Sequence, residues 1–345
     1  MNNIKIIRLA GKNSYDFGYA IGKETAREIK ALLEKTEYIH DCSKTEANEA
    51  YVEFKEMAQK LYPTYFEELQ GMAMGAGVDF DLLLKLNIPE LDMFITDQDK
   101  VGYDDCTTLV RAARGRVQVL HNEDGGSDDG IYLFEGALPS GLQVVCVAYY
   151  GYLLGFAANL TARGIFYNCN SLKCKFQRLG IPKRFVTRDA LESMSYADFL
   201  KRITVKGRAQ AQNYIFVEKG KAYDIETSSR GYYAREVKGN FAHANNFLFR
   251  DMLKYEGRSH RGVGTFLRSS FARSEVKKVA DFSDMKKILS SHVNRPSCVC
   301  AHGRDVGDIN LTLGVIYFDS EIPDSFLLGY GPTCEAEMKK YGIVP

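Results

Sequence analysis

Near residue 105 the hydrophobic pattern of this chain changes period from helical to alternating, and that switch limits the folds open to it. Before it, Phe17, Ala20, Ile21, Ile29, Leu32 and Leu33 share one helical face, with Glu24, Arg27, Glu28 and Lys35 opposite. Tyr51, Phe54, Ala58 and Leu61 repeat the pattern up to Pro63, where a helix stops or kinks. Tyr65, Phe66 and Leu69 extend it, the glycines at 71, 75 and 77 are expected to loosen the next stretch, and 82–86 reads as a short helix. After the switch, 107–113 and 117–121 form a predicted hairpin around Arg114-Gly115-Arg116. Further strands are predicted over 131–138, 142–150, 156–160, 164–168, 213–218, 222–227, 232–237, 312–318 and 325–328. Helices are predicted over 183–194, after the cap at Ser195, and over 280–290. Strands, a block of helices, then strands again predict layered sheets covered by helices, an α+β fold.

Charge and composition narrow the partners. The 345 residues carry a formal net charge of +1, which demands neither nucleic acid nor an anionic membrane. The charge is uneven: residues 1–105 hold 12 basic and 20 acidic side chains, against 33 and 24 in residues 106–345, so the two parts attract. Residues 142–160 lack charge over a membrane-spanning length, but Gln143, Asn159, Gly151 and Gly155 among β-formers predict two buried strands instead. The charged start of the chain lacks the apolar stretch of an export signal, so a cytoplasmic location and free thiols are expected for the eight cysteines.

One constellation stands at the switch itself. Cys106 follows Asp104-Asp105 and opens the first strand with Thr107-Thr108, and the returning strand ends in His121-Asn122-Glu123-Asp124. A hairpin of this length brings those ends together, so a thiol, a carboxylate and an amide are expected at one sheet end. Farther on stands His243-Ala244-Asn245-Asn246-Phe247. Together with Gly11-x-x-x-Tyr15-x-x-Gly18-x-x-x-Gly22 at the front, and residues 312–319 followed by Gly329-Tyr330-Gly331-Pro332 at the back, this order resembles a known family. It is that of the acyl-coenzyme A:6-aminopenicillanic acid acyltransferases, among the N-terminal-nucleophile cysteine hydrolases.

The resemblance implies a four-layer αββα sandwich, two packed antiparallel sheets flanked by helices. It implies a helical pro-segment over 1–105 and a catalytic part over 106–345, separated by self-cleavage between Asp105 and Cys106 and then retained as associated small and large chains. The freed α-amine, with a pKa of about 7.7–8.0, would take the proton of the Cys106 thiol, whose unperturbed value is about 8.5. Asp124 would hold the ammonium and Asn245 would donate to the oxyanion, with Asn246 as the alternative amide and Asn122 and Thr108 in support. The substrate would be a small linear amide or thioester, with no metal or organic cofactor and no nucleic acid or membrane partner. Acyl group, amine, hydrolysis against transfer and the existence of a homo-oligomer are left open.

In two places the chain departs from the family pattern, and one is Asp105, where a small residue such as glycine is expected before the cut. Cys298-Val299-Cys300-Ala301-His302 has alanine where the family has arginine, so Arg304 or Arg295 would have to substitute. Two other readings stand beside the enzyme: an unprocessed protein that binds an acylated small molecule, and a zinc protein using His292, Cys298, Cys300 and His302. Cys-x-Cys is tighter than usual zinc spacing, which counts against the latter. His243 is read as structural.

Overall fold

The alternating runs pair into two sheets. The computed structural model describes residues 4–36, 39–40, 45–91, 94, 106–126, 128–176, 178–257, 262–303 and 310–343. Among these, an eight-stranded sheet runs in the order β1 (Lys5–Ala10), β4 (Ile131–Ala137), β5 (Gln143–Tyr149), β6 (Ala158–Thr161), β7 (Phe166–Ser171), β8 (Gln212–Glu218), β9 (Lys221–Thr227) and β10 (Tyr232–Val237). A six-stranded sheet runs β11 (Gly239–His243), β2 (Thr107–Ala113), β3 (Arg116–Gly126), β12 (Asn310–Asp319), β13 (Ser325–Tyr330) and β14 (Met338–Gly342). The pairs are antiparallel except β1, which lies parallel to β4.

Strand alternation sorts the core into three seams. On β5, Val145, Val147 and Tyr149 point between the sheets, where they meet Val110, Val117, Val119, Ile316 and Phe318 of the second sheet. Val144, Cys146 and Ala148 point the other way, against helices. Those helices are α1 (Ser14–Glu24), α2 (Ala26–Lys35), α3 (Thr45–Leu61), α4 (Pro63–Ala76), α5 (Phe80–Leu86), α6 (Lys183–Ala190) and α7 (Tyr196–Ile203). The outer face of the second sheet, with Leu109, Leu120 and Val315, is covered by α8 (Gly262–Glu275) and α9 (Phe282–Leu289) through Ala272, Met285 and Leu289. The architecture is the expected αββα sandwich, of the α+β class. Among the described residues no helix is long and apolar enough to cross a membrane.

Several elements differ from expectation. The first 105 residues add a strand to their helices, since β1 forms an edge of the larger sheet; its Lys5 and Arg8 mask a six-residue strand. The stretch 17–35 is two helices meeting at Thr25, and α6 ends at Ala190 rather than 194. The strands β11 and β14 and the helix α8 have no counterpart among the predicted elements.

The glycines at 71 and 75 lie inside α4, and only Gly77, at φ 64°, ends it. Gly71 and Gly75 serve close approach instead. A Cβ at Gly18 would stand 1.8 Å from the Glu68 carbonyl oxygen, one at Gly22 2.1 Å from that of Met72, and one at Gly71 2.0 Å from that of Tyr15. The two helices therefore touch backbone to backbone. Gly18→Ala is expected to cost about 1–3 kcal/mol, the usual effect of overpacking, read as a lower urea midpoint with unchanged slope. An unshifted midpoint would contradict the close contact.

Candidate active site

At one end of the inter-sheet seam the inward-facing residues turn from apolar to polar on strand after strand. The inward row reads Val117, Val119, His121, Glu123 on β3, Phe166, Asn168, Asn170 on β7, and Val217, Ile215, Asn213 on β8. All of these polar side chains are buried, so each needs a partner. They supply one another. Glu123 Oε2 lies 2.8 Å from His121 Nε2, and His121 Nδ1 lies 2.9 Å from Thr108 Oγ1. Asn168 Nδ2 donates to Thr108 Oγ1 at 2.8 Å and lies 3.1 Å from His121 Nδ1. Thr108 donates to Asn170, Asn170 to Asn213, and Asn213 to Asp224.

Cys106, just before β2, is buried at the head of this network. Its Sγ lies 3.7 Å from Glu123 Oε1 and 3.7 Å from the Asp124 carbonyl oxygen. Tyr149 donates to the same Glu123 oxygen at 2.6 Å. The carboxylate that faces the thiol is thus Glu123. It is visible in the sequence as the alternate position beyond His121, but the family order draws attention to Asp124.

Behind the cysteine sits Arg268, 1% exposed, on α8. Its Nη1 lies 3.3 Å from the Cys106 carbonyl oxygen and 3.2 Å from Thr107 Oγ1, and both terminal nitrogens lie 3.2 Å from Asn245 Oδ1. Asn245 Nδ2 donates to the Ser171 carbonyl at 3.0 Å. One guanidinium therefore joins the backbone of Cys106 to the side chain of Asn245. Asn246 turns instead to its own loop, donating to the Phe247 carbonyl.

Asn122 and Asp124 alternate with Glu123 and face the opposite side of β3. Asn122 thus stands at the expected sheet end, with its side chain on the face away from the thiol. Asn122 donates to the Leu289 and Val299 carbonyls at 3.0 and 2.7 Å and accepts from Thr333 Oγ1 at 2.6 Å. Asp124 offers its backbone carbonyl to the thiol, while its carboxylate charge is felt at Cys300. Asp105 and Arg304 lie outside the described residues. Arg295 is on the surface, and among the described residues the arginine that reaches Cys106 and Asn245 is Arg268.

The loop bearing Asn245 is fixed from below by Glu226, which accepts from His243 Nε2 at 3.0 Å and from the Leu248 amide at 2.6 Å. Burial opposes charging His243, but the carboxylates of Asp224 and Glu226 outweigh it and raise its pKa. Burial pushes the Asp224 carboxyl from 3.8 up to about 6. Because that value is raised, its contribution to stability is full below about pH 4 and is lost as pH rises through about 6. The advantage of Asp224→Asn over wild type in unfolding free energy should therefore grow between pH 4 and 8, by up to about 3 kcal/mol. A pH-independent difference in urea midpoints would contradict a buried charge there.

No family model matches the chain. In sequence it is 26% identical over 243 residues to the acyl-coenzyme A:6-aminopenicillanic-acid-acyltransferase 40 kDa form of Emericella nidulans, covering 68% of this chain and 67% of that protein. It is 23% identical over 239 residues to the beta-alanyl-dopamine/carcinine hydrolase of Drosophila melanogaster, covering 61% of this chain and 62% of that protein's length. Among solved structures, an N-acylethanolamine-hydrolyzing acid amidase ortholog of Caenorhabditis elegans aligns with a TM-score of 0.43 at 14% identity, over 64% of this chain and 94% of that one. The chain resembles the family of cysteine acyltransferases and hydrolases to which its motifs pointed.

Proposed function

We propose that this protein is a cysteine hydrolase or acyltransferase that acts on a linear amide or thioester through an acyl-Cys106 intermediate, after cutting itself between Asp105 and Cys106. The observation that carries the reading is the buried Cys106 thiol at the head of a polar seam, with Glu123 before it and Arg268 and Asn245 behind it. The sequence relatives, one named as a hydrolase and one as an acyltransferase, support it.

In the uncut chain residue 106 has no free amine, and Glu123 is the group placed to receive the thiol proton. The thiolate attacks the Asp105 carbonyl carbon, the peptide C–N bond breaks as the nitrogen gains a proton, and a thioester forms. Water hydrolyses that thioester, leaving a carboxylate on Asp105 and a free thiol and amine on Cys106. In turnover the α-amine takes the thiol proton, the thiolate attacks the substrate acyl carbon, and the ammonium returns the proton to the departing amine. Water or a second amine then releases the acyl group and restores the thiol. The family order assigns the ammonium to Asp124, although its side chain leaves β3 on the face away from the thiol and only its backbone carbonyl lies 3.7 Å from the sulfur. Asn245 Nδ2 donates to the oxyanion with the hydrogen not given to Ser171, and Arg268 holds Asn245 by its Oδ1. An oxyanion donor of this kind contributes about 2.7–4 kcal/mol to the transition state.

Residues 1–105 and 106–345 would then be the small and large chains. They stay together because α1–α5 bury their apolar faces on the larger sheet. The intact mass of the denatured protein tests the reading. Fragments of about 12 and 27 kDa are expected from the 38.8 kDa chain, scaled by residue number. A single uncut chain would remove the α-amine from the mechanism.

A further inference from the structure

On the outer side of β3, away from the thiol, four side chains from three distant segments converge. His292 follows α9, Cys300 and His302 precede β12, and Cys334 lies in the loop between β13 and β14. Their ligating atoms all lie within 4.8 Å of one another. His292 Nε2 and His302 Nε2 are 3.0 Å apart, and the sulfurs of Cys300 and Cys334 are 3.7 Å apart. Cys334 Sγ is 3.5 Å from His292 Nε2 and 3.3 Å from His302 Nε2, and Cys300 Sγ is 3.8 Å from His302 Nε2.

Four of these five separations match the edges of a coordination tetrahedron, and the two imidazole nitrogens stand closer than that. With zinc–sulfur bonds of about 2.3 Å and zinc–nitrogen bonds of about 2.0–2.1 Å, tetrahedral ligand atoms stand about 3.3–3.8 Å apart. We propose that His292, Cys300, His302 and Cys334 bind one zinc ion in a closed tetrahedral site. Two sulfurs and two imidazoles in this geometry select zinc over the oxygen-loving cations. Four protein ligands leave no position for water, so the ion is structural. Binding releases two thiol protons to solvent, and the two thiolates neutralise the cation.

A further contact is of the kind that accompanies metal ligation. His302 Nδ1, the nitrogen not aimed at the cluster, lies 3.5 Å from Glu335 Oε1, where a carboxylate fixes the ring and its tautomer. Sequence spacing suggests Cys298 as a ligand, but its sulfur lies 3.1 Å from the Cys300 carbonyl oxygen, and Cys334, remote in sequence, stands in the cluster instead. The ion would clamp the segments that hold Asn122, whose partners Val299 and Thr333 each adjoin a ligand. The proposal rests on these side chains alone and stands or falls independently of the acyl chemistry.

The test is the metal content of the full-length chain, prepared without a polyhistidine tag and desalted over a weak chelating resin. One zinc per chain is expected, falling to background in Cys300→Ser and Cys334→Ser and retained in Cys298→Ser. Should the serine variants fail to fold, the wild-type chain depleted of zinc and given cobalt is expected to show the intense visible bands of a tetrahedral thiolate–imidazole site. A folded wild-type chain that takes up neither zinc nor cobalt would overturn the proposal. So would zinc retained by a folded Cys334→Ser variant, or a wild-type mass two hydrogens lighter with a peptide linking Cys300 to Cys334 by a disulfide.

Discussion

Cys106→Ala is expected to run as one chain of 38.8 kDa where the wild type is expected to give two fragments, and to lower turnover on the order of 10⁶-fold, the scale for loss of a catalytic nucleophile. The size of the effect comes from the doubled role of this residue. In the proposed mechanism its sulfur carries out both the self-cleavage and the acyl transfer, and its nitrogen becomes the base only after cleavage. A companion variant separates the two stages. Glu123→Gln keeps a partner for Tyr149 and His121 but cannot take the thiol proton. It should slow self-cleavage far more than it slows turnover by protein already cut, if the α-amine freed by cleavage is the base as proposed. Equal slowing of both stages would assign Glu123 to turnover as well, and an alanine variant that still splits would move the nucleophile away from residue 106.

The seam in which these residues meet is written in the sequence more plainly than the site itself. On β3, alternate residues pass from Val117 and Val119 to His121 and Glu123, and β7 does the same from Phe166 to Asn168 and Asn170. Polar residues at inward positions mark where the seam stops being core, and their buried network arises from the requirement that each find a partner. The strands with clean alternation were legible for the same reason. Edge strands were less so: β14 reads Met338-Lys-Lys-Tyr-Gly342, because an edge strand with a wet face carries charge.

What the sequence could not show is which remote side chain arrives at a given point. Arg268 reaches a cysteine 162 positions away, and Cys334 reaches His292 across 42. No local period records either meeting. Gly71 and Gly75 mislead for a related reason: a glycine in a helical pattern signals weakness unless the opposing helix is known, and here that helix is α1, some fifty residues earlier in the chain. The hairpin argument brings Asp124 and Asn122 to the correct sheet end but ignores the face. A period of two puts Glu123 on the side of the thiol and its neighbours on the other.

Arg188→Ala is expected to cost about 3–5 kcal/mol in unfolding free energy, because it strands a buried carboxylate. Arg188 on α6 is 1% exposed and Glu68 on α4 fully buried, with Arg188 Nε 3.0 Å from Glu68 Oε2 and Nη2 2.9 Å from the same oxygen. The guanidinium also lies over the Tyr65 ring, 4.6 Å from its centroid, and reaches Glu192. Burial raises the Glu68 pKa even with the arginine present, so removing the arginine leaves protonation as the remaining relief. The deficit of Arg188→Ala should accordingly be smaller at pH 4 than at pH 8. Pairing the change with Glu68→Leu, as Arg188→Met, should return most of the lost stability, since an apolar pair of similar bulk needs no compensation for buried charge. The pair also spans the proposed small and large chains, so the single variant should weaken their association after cleavage while the double variant keeps it. If the double variant is as unstable as the single one, packing around the guanidinium rather than an unpaired charge is what Arg188→Ala removes.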